Sequence, residues 1–456
     1  MLVSRYLIYL LLIGIAFSGA SRQLAAARKP NVVIIYTDDQ GAIDLGCYGS
    51  PDLKTPHMDR LADQGVRFTQ FYAAAPVCSP SRAGLLTGRF PVRAGVPGNV
   101  SSKRGNPGMP TDQITIAEAM RTVGYATAHI GKWHLGYTDA TMPNAQGFDH
   151  SFGHMGGCID NYSHFFYWNG PNRHDLWRQG KRTRADGEYF PALMVAEAAH
   201  FMERHREDPF FIYFAMNAPH YPYQGHPQWL RYYEQRGVPH PRTLYNAFLS
   251  TQDDYIGQLL AKLDQLGIRE DTIVILQSDH GHSTEQRAHF GGGSAGPYRG
   301  AKFSLFEGGI RVPAIISWPS QLPQGAVRNQ IAHSCDWLPT IAAYCGVDVS
   351  ELDLDGTSLT EVIADDKPSP HDVLHWTIGD SWAVRSGQWK LLSKPRDTSK
   401  GPVKGPAAPL FLVDLADDLS ERKNLVASHP QVVDRLATLH EEWWRSARDR
   451  EADGGK

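Results

Sequence analysis

The sequence predicts an α/β protein: a large, mostly parallel sheet flanked by helices, followed by a smaller C-terminal α+β subdomain built on an antiparallel sheet. Three observations carry this expectation. Short β-branched or aromatic runs alternate with helical patterns over the first three quarters of the chain, as in parallel strands linked by crossover helices. After about Asp365 the texture changes to aromatic, alternating segments, the pattern of antiparallel strands. With 456 residues, 42% of them hydrophobic and 20% charged, the chain is long and apolar enough to bury a large core.

In chain order, residues 1–20 carry one early cation, Arg5, then an apolar run and the small residues Ser18, Gly19 and Ala20. They read as a signal peptide, with an uncleaved anchor as the alternative. No second apolar run is long enough to span a bilayer, so the expectation is export without stable membrane insertion. The clearest strand candidates are 31–36, 125–130, 210–214, 272–276 and 314–318. Between them Thr55 and Pro56 open a helix that Gly65 closes, 116–123 stops at Gly124, and 244–266 stops at Gly267. Beyond them, 382–392 and 410–415 read as antiparallel strands, 394–409 as a Pro/Gly/Lys-rich loop, and 430–448 as a closing helix. The expected division is a main domain over 28–365 and a C-terminal subdomain over 366–456.

Lysine plus arginine number 45 and aspartate plus glutamate 48, for a formal charge of −3. That balance excludes an electrostatic nucleic-acid binder. The five cysteines, Cys47, Cys78, Cys158, Cys335 and Cys345, show no C-x-x-C zinc pattern. If Cys78 has another task the other four are free to pair, in a connectivity the sequence does not give, and buried free thiols fit equally.

In open α/β sheets ligands bind beyond the carboxyl ends of the strands. The first strand candidate is followed by Asp38 and Asp39, the second by Lys132 and His134, the third by Asn217 and His220, and the fourth by Asp279 and His280. Parallel strands bring all four groups to one edge. Asp38, Asp39 and Asp279 are hard oxygen donors suited to calcium or magnesium, and adjacent carboxylates repel unless a cation lies between them. His280 reads as a ligand or as a group that orients one. Arg82, Lys132, His134, His220 and Lys302 add positive charge and proton donors suited to an anionic ester. Cys78 stands at the expected start of a short helix, where free N–H groups favour anions. Asp253 and Asp254, inside a helical pattern, read as a solvated or capping face.

At these residues the sequence resembles a known family. Cys78-Ser-Pro-Ser-Arg82, followed by Leu86-Thr-Gly-Arg89, matches the C-x-P-x-R signature of type I sulfatases, and Gly131-Lys-Trp-His-Leu-Gly136 matches their second signature. Thr37-Asp-Asp39, Ser278-Asp-His-Gly281 and the segment 300–313 extend the likeness from about residue 31 to 346, and 410–415 with Glu421 and Asn424 is similar to the family's closing strand and loop. The resemblance implies the alkaline-phosphatase-like fold, which makes 28–365 the catalytic domain. It also implies that a formylglycine-generating or anaerobic sulfatase-maturating enzyme oxidises Cys78 to Cα-formylglycine. One hydroxyl of the aldehyde hydrate would attack sulfur in line, and the second would later collapse to release sulfate.

The resemblance further implies one calcium ion held by Asp38, Asp39, Asp279 and His280, with position 78 sharing it. Arg82 and Lys132 match residues that steady the hydrate and sulfate, His134 the residue that assists elimination, and His220 with Lys302 those that contact sulfate and protonate the leaving oxygen. Ser81, at the signature's variable place, is expected as a helix-start hydroxyl.

For the substrate, the polar and aromatic segment 147–168, with His154, Asp160, Asn161, Tyr162 and His164, is expected to line a sugar-reading pocket together with His282, His289 and Arg299. The expected activity is hydrolysis of O-sulfate esters of a galactose or N-acetylgalactosamine type glycan by a periplasmic or secreted protein, lysosomal or extracellular if eukaryotic. The alternatives are a broad arylsulfatase, a phosphoester or phosphonate hydrolase of the same superfamily, and a catalytically dead glycan-binding protein. Asn99 and Asn161 open N-x-S sequons, acceptors only in a eukaryotic secretory pathway.

Overall fold

The computed structural model describes residues 28–168, 172–403 and 405–453, so the expected signal peptide lies outside the described residues. The strands are β1 Asn31–Thr37, β2 Val66–Tyr72, β3 Ala126–Lys132, β4 His150–His154, β5 Phe165–Phe166, β6 Arg173–His174, β7 Trp177–Arg178, β8 Lys181–Arg182, β9 Phe210–Ala215, β10 Thr272–Ser278, β11 Ala314–Ser317, β12 Ala326–His333, β13 Val373–Ile378, β14 Ser381–Ser386, β15 Trp389–Ser393 and β16 Leu410–Asp414. The helices are α1 Pro56–Asp63, α2 Cys78–Thr87, α3 Ile116–Arg121, α4 Phe190–Arg204, α5 Pro227–Glu234, α6 Arg242–Gln265, α7 Glu307–Ile310, α8 Trp337–Cys345, α9 Thr360–Asp365 and α10 Pro430–Asp453.

Ten strands form one mixed sheet in the order β12-β2-β11-β10-β1-β9-β3-β4-β7-β8. Its central five, β10-β1-β9-β3-β4, are parallel throughout. They are apolar without alternation because both faces are covered. Along β1, Val32, Ile34 and Tyr36 enter the core beneath α2, α3 and α8, while Val33 and Ile35 enter the opposite core beneath α1, α4 and α6. The run expected at 314–318 becomes β11, which is antiparallel to both neighbours. Strands β2, β4 to β8, β12 and β13 went unpredicted. Half of β2 and β12 is only partly buried, so neither presents a continuous apolar run.

Helix α6 runs 24 residues and is followed by Gly267 at φ +68, a stop glycine in the left-handed region as expected. Thr55 precedes α1 but makes no side-chain cap. Asp253 on α6 accepts from the free main-chain amides of His57 (3.0 Å) and Met58 (2.8 Å) instead. Asp253 therefore caps another helix across a buried contact, and Asp254 accepts from the Trp229 indole at 2.6 Å. All five cysteines are free thiols.

The C-terminal segment forms a separate antiparallel sheet, β13-β14-β15-β16, with α10 on one face. Its other face packs Leu374, Trp376, Leu392 and Val413 against Tyr72, Leu305, Phe306 and Ile310. Beneath that contact, Lys390 of β15 lies 2.9 Å from Glu307 and 3.0 Å from Glu421, all three with no solvent exposure. Tyr72 donates to Glu307 at 2.6 Å, and Glu421 accepts from the Glu307 amide at 2.6 Å. Removing one partner of such a group leaves an uncompensated buried charge. Lys390→Met should lower unfolding free energy by about 3–5 kcal/mol in a denaturant titration; a loss below about 1 kcal/mol would show that apolar packing alone holds the two sheets together.

Candidate active site

Paired registers place the functional groups. Thr37 faces Ser278, Tyr36 faces Ala215, Gly131 faces Ala215 and Lys132 faces His154, so Asp38, Asp279, Lys132 and His220 emerge at one edge of the sheet. Gly131 is required there: at φ +119, a Cβ would stand 1.9 Å from the Ala215 carbonyl oxygen. Asp39 (φ 64), His134 (φ 54) and Phe303 (φ 70) are non-glycine residues in the left-handed region. Such conformations cluster at functional sites because the surrounding contacts must impose them.

Helix α2 starts at Cys78, as expected, and is buried along its whole length. The Cys78 thiol lies 3.3 Å from His280 Nε2 and 3.7 Å from Asp38 Oδ1. Burial pushes the thiol up, but Lys132 and Lys302 outweigh it and bring Cys78 down to about 6, into the range of a reactive thiolate. Ser81 differs from its expected role as a helix-start hydroxyl. It donates to the Asp279 carbonyl and lies 3.0 Å from Tyr36 Oη, tying α2 to the loop after β10.

The charges interlock. Lys132 Nζ sits 2.7 Å from Asp38 Oδ2, and Arg82 Nη2 lies 2.9 Å from Asp279 Oδ2 and 3.5 Å from Asp38 Oδ1. Lys302 Nζ lies 2.9 Å from Asp39 Oδ1 and 3.4 Å from Glu285. Burial raises Asp38, yet Lys132, His220 and Arg82 hold it well below the usual carboxylate range. Burial wins at the other two: Asp39 is lifted to about 8 despite Lys302 and His280, and Asp279 to about 6 despite His280. Burial lowers His280, but Asp279 and Cys78 overcome it and raise the ring to about 9.

One donor atom each from Asp38, Asp39, Cys78 and His280 falls within 4.8 Å of the others. Asp279 borders this group, with Oδ1 3.4 Å from His280 Nε2, but accepts from the Asp39 amide and from Arg82. The hard carboxylate oxygens of Asp38, Asp39 and the bordering Asp279 suit an ion such as calcium, which would compensate the burial that lifts Asp39 and Asp279.

A cavity of about 360 Å³ opens above the cluster. Cys78, His134, His220 and Lys302 line it, while Arg82, Lys132 and the carboxylates lie beneath. Burial and Lys132 hold His134 well below its ordinary value, and burial and Lys302 do the same to His220. His220 Nδ1 donates to the Tyr221 carbonyl at 2.7 Å, which leaves Nε2 for the site.

The expected substrate residues His154, Asp160, Asn161, His164 and Arg299 are absent from the lining. His154 is buried, with Nδ1 2.9 Å from the Gly156 carbonyl. Asp160 accepts from the amides of Tyr162 and Ser163 and from Gln224, and Asn161 bonds Gln224 and Asn217. His164 packs against His174 and Phe190. Arg299 pairs with Asp397 at 2.8 Å and donates to the Glu421 carbonyl. His282 and His289 are likewise missing from the wall.

The wall is built from Asn99, Ser102 and Lys103, the aromatic rings Phe166 and Trp168, and Glu285. Phe166 and Trp168 fall within the expected segment 147–168. The 99–103 loop carried no sequence signal beyond a sequon, and it reaches the site because Asn99 accepts from the Ser79 amide at 3.0 Å and the Val100 amide donates to Ser79 Oγ at 3.1 Å. Glu285, which also went unpredicted, accepts from Tyr221 at 3.0 Å and faces Lys302.

Comparison with known proteins identifies the family of the chain. The model of the family named Sulfatase matches residues 30–347. Human arylsulfatase A is 34% identical, over 91% of this chain and 88% of its own. An N-acetylgalactosamine-6-O-sulfatase of Bacteroides thetaiotaomicron is 30% identical, over 91% and 93%. The solved structure of Ps i-CgsB in complex with k-i-k-neocarrahexaose superposes with a TM-score of 0.82 at 29% identity, over 91% of this chain and 93% of that one. A buried cluster of carboxylates and cations at the carboxyl edge of a ten-stranded sheet, beneath a cysteine at a helix start, is thus met on a matching family model, and the chain belongs to the sulfatase family, as a sulfuric ester hydrolase of alkaline-phosphatase-like fold.

Proposed function

We propose that this chain hydrolyses O-sulfate esters of a carbohydrate, of galactose or N-acetylgalactosamine type, using a formylglycine hydrate at position 78 and one calcium ion. The observation that carries the reading is the open cavity with Cys78, His134, His220 and Lys302 on its inner surface and an aromatic, hydrogen-bonding wall, a combination suited to a sugar ring bearing an anionic group. The kinship to an N-acetylgalactosamine-6-O-sulfatase and to a structure holding a neocarrahexaose supports it. A broad arylsulfatase is the second reading, favoured by the 34% identity to arylsulfatase A.

Asp38, Asp39, Asp279 and His280 would hold the calcium, which supplies charge compensation for an oxygen nucleophile at position 78. Lys132 and Lys302, both held protonated by the carboxylates beside them, draw the sulfate group in, and Arg82 keeps Asp38 and Asp279 oriented. His134 is neutral with an unpartnered Nδ1, the state of a base that removes the hydrate proton during sulfate release. His220 and Lys302 serve the leaving oxygen, since an entering sulfate ester raises the pKa of a cation beside it. A formylglycine-generating or anaerobic maturating enzyme would act on Cys78 before folding closes over it.

We place the protein outside the cytoplasm, periplasmic or secreted in a bacterium and lysosomal or extracellular in a eukaryote. No helix among the described residues is long and apolar enough to cross a membrane. The catalytic unit is read as 28–365 and the C-terminal one as 366–456.

Sulfate released from a panel of defined sulfated monosaccharides and disaccharides plus an aryl sulfate tests the reading. Turnover of one sugar position is expected. Turnover of the aryl sulfate alone would favour the second reading. Cys78→Ala should lower release by about 10³-fold or more, and full activity in that variant would overturn the assignment of position 78. Asp279→Ala, with folding checked by circular dichroism, should lose both bound calcium by elemental analysis and activity; retention of either would remove Asp279 from the proposed ligand set.

A further inference from the structure

Beside the base of the hairpin that carries the cavity's aromatic wall lies a second cluster of metal-ligating side chains. Phe165 and Phe166 of β5 pair with His174 and Arg173 of β6. His164, just before β5, is 0% exposed and His174 is 4% exposed. Their rings stand 6.1 Å apart at 84°. None of their four ring nitrogens makes a hydrogen bond of normal geometry, although buried polar groups are satisfied in the great majority of cases. Asp186 Oδ1 lies 3.4 Å from His174 Nε2. One donor atom from each of His164, His174 and Asp186 falls within 4.8 Å of the others.

His129 makes a useful contrast. Its nitrogens are also buried and unpartnered, but it stands among Trp133, Phe148 and Tyr213 and belongs to no metal-ligating cluster among the described residues. That is a histidine used as a core aromatic. His164 and His174 converge on a carboxylate instead. Burial lowers both from their ordinary value, keeping them in the neutral form a metal requires. Arg184 engages Asp186 through Oδ2 at 3.1 Å, leaving Oδ1 toward the histidines. The Glu188 main chain faces His164, the usual kind of partner for the second nitrogen of a ligating ring.

We infer that His164, His174 and Asp186 form a binding site for a divalent transition ion, zinc in the first instance, distinct from the catalytic cluster. Two imidazoles and one carboxylate are a donor set for zinc rather than for calcium or magnesium. Ligation would bring the ring nitrogens to about 2.0–2.1 Å from the ion. Asp186 is 56% exposed, which gives the ion an entry path and a fourth position for water. Bound there, zinc clasps the two ends of the β5–β6 hairpin, which bears Phe166 and Trp168 on the cavity wall. The site does not depend on the identity of the substrate.

The test is zinc titration of the full chain after chelator treatment, with calcium restored in excess, comparing the wild type with His174→Ala and Asp186→Asn. The wild type should bind one more equivalent of zinc than His174→Ala. Asp186→Asn, at an exposed position where folding is not at issue, should weaken that equivalent by about tenfold or more. Cobalt(II) in the same site should show visible bands without thiolate charge transfer, separating it from the cluster that contains Cys78. Equal isotherms in all three proteins, or a thiolate band on the equivalent that the variants lose, would overturn the inference.

Discussion

The structure rests on mutual neutralisation of buried charge at one edge of the large sheet. Asp38, Asp279, Arg82 and Lys132 have no solvent exposure, and Asp39 and Lys302 almost none. Any one of these ions alone would cost several kcal/mol to bury. Together they are tolerable only because Lys132 stands across Asp38, Arg82 bridges Asp38 and Asp279, and Lys302 covers Asp39. That requirement explains local features of the site: the close approach of β3 to β9 at Gly131 beside Lys132, the left-handed turn at Asp39, and the bond from Ser81 to the Asp279 carbonyl. Each sets the position of a charge whose counter-charge comes from another element.

The arrangement leaves Asp39 and Asp279 under-compensated. Asp39 and Asp279 are pushed upward by burial while His280 is drawn up between them. Two acids held high by burial beside an imidazole drawn toward its cationic form store unfavourable charge burial that a divalent ion would relieve. Above the cluster Lys302 and Lys103 line the cavity, so positive charge faces its interior while the carboxylates lie at its floor.

The C-terminal sheet contributes to this centre without reaching it. Lys302 sits on a loop fixed by its amide to the His282 carbonyl, by Phe303 to Pro76, and by two bonds between Ala301 and Thr398. Ser304 donates to the Arg396 carbonyl and Arg299 pairs with Asp397. The segment 396–398, a Pro/Gly/Lys-rich loop in the sequence, is thus the bracket that holds a site lysine in place. The buried Lys390–Glu307–Glu421 group anchors the same two units from below.

Much of the charged edge of the candidate site was legible before folding, because it is encoded locally. Apolar runs mark the central strands, and the polar residues directly after β1, β3, β9 and β10 must emerge where those strands end; the cysteine before a short helix is equally local. Tertiary structure alone decided what surrounds that edge. The 314–318 run turned antiparallel, since periodicity carries no direction. Asp253 became the cap of a helix nearly 200 positions away, and His164, Asn161 and Arg299 went to internal partners while Asn99, Lys103 and Glu285 took the wall. Composition identifies residues able to bind a sugar or a metal, but which loops reach a given cavity depends on long-range packing, and that is written in no single stretch of the chain.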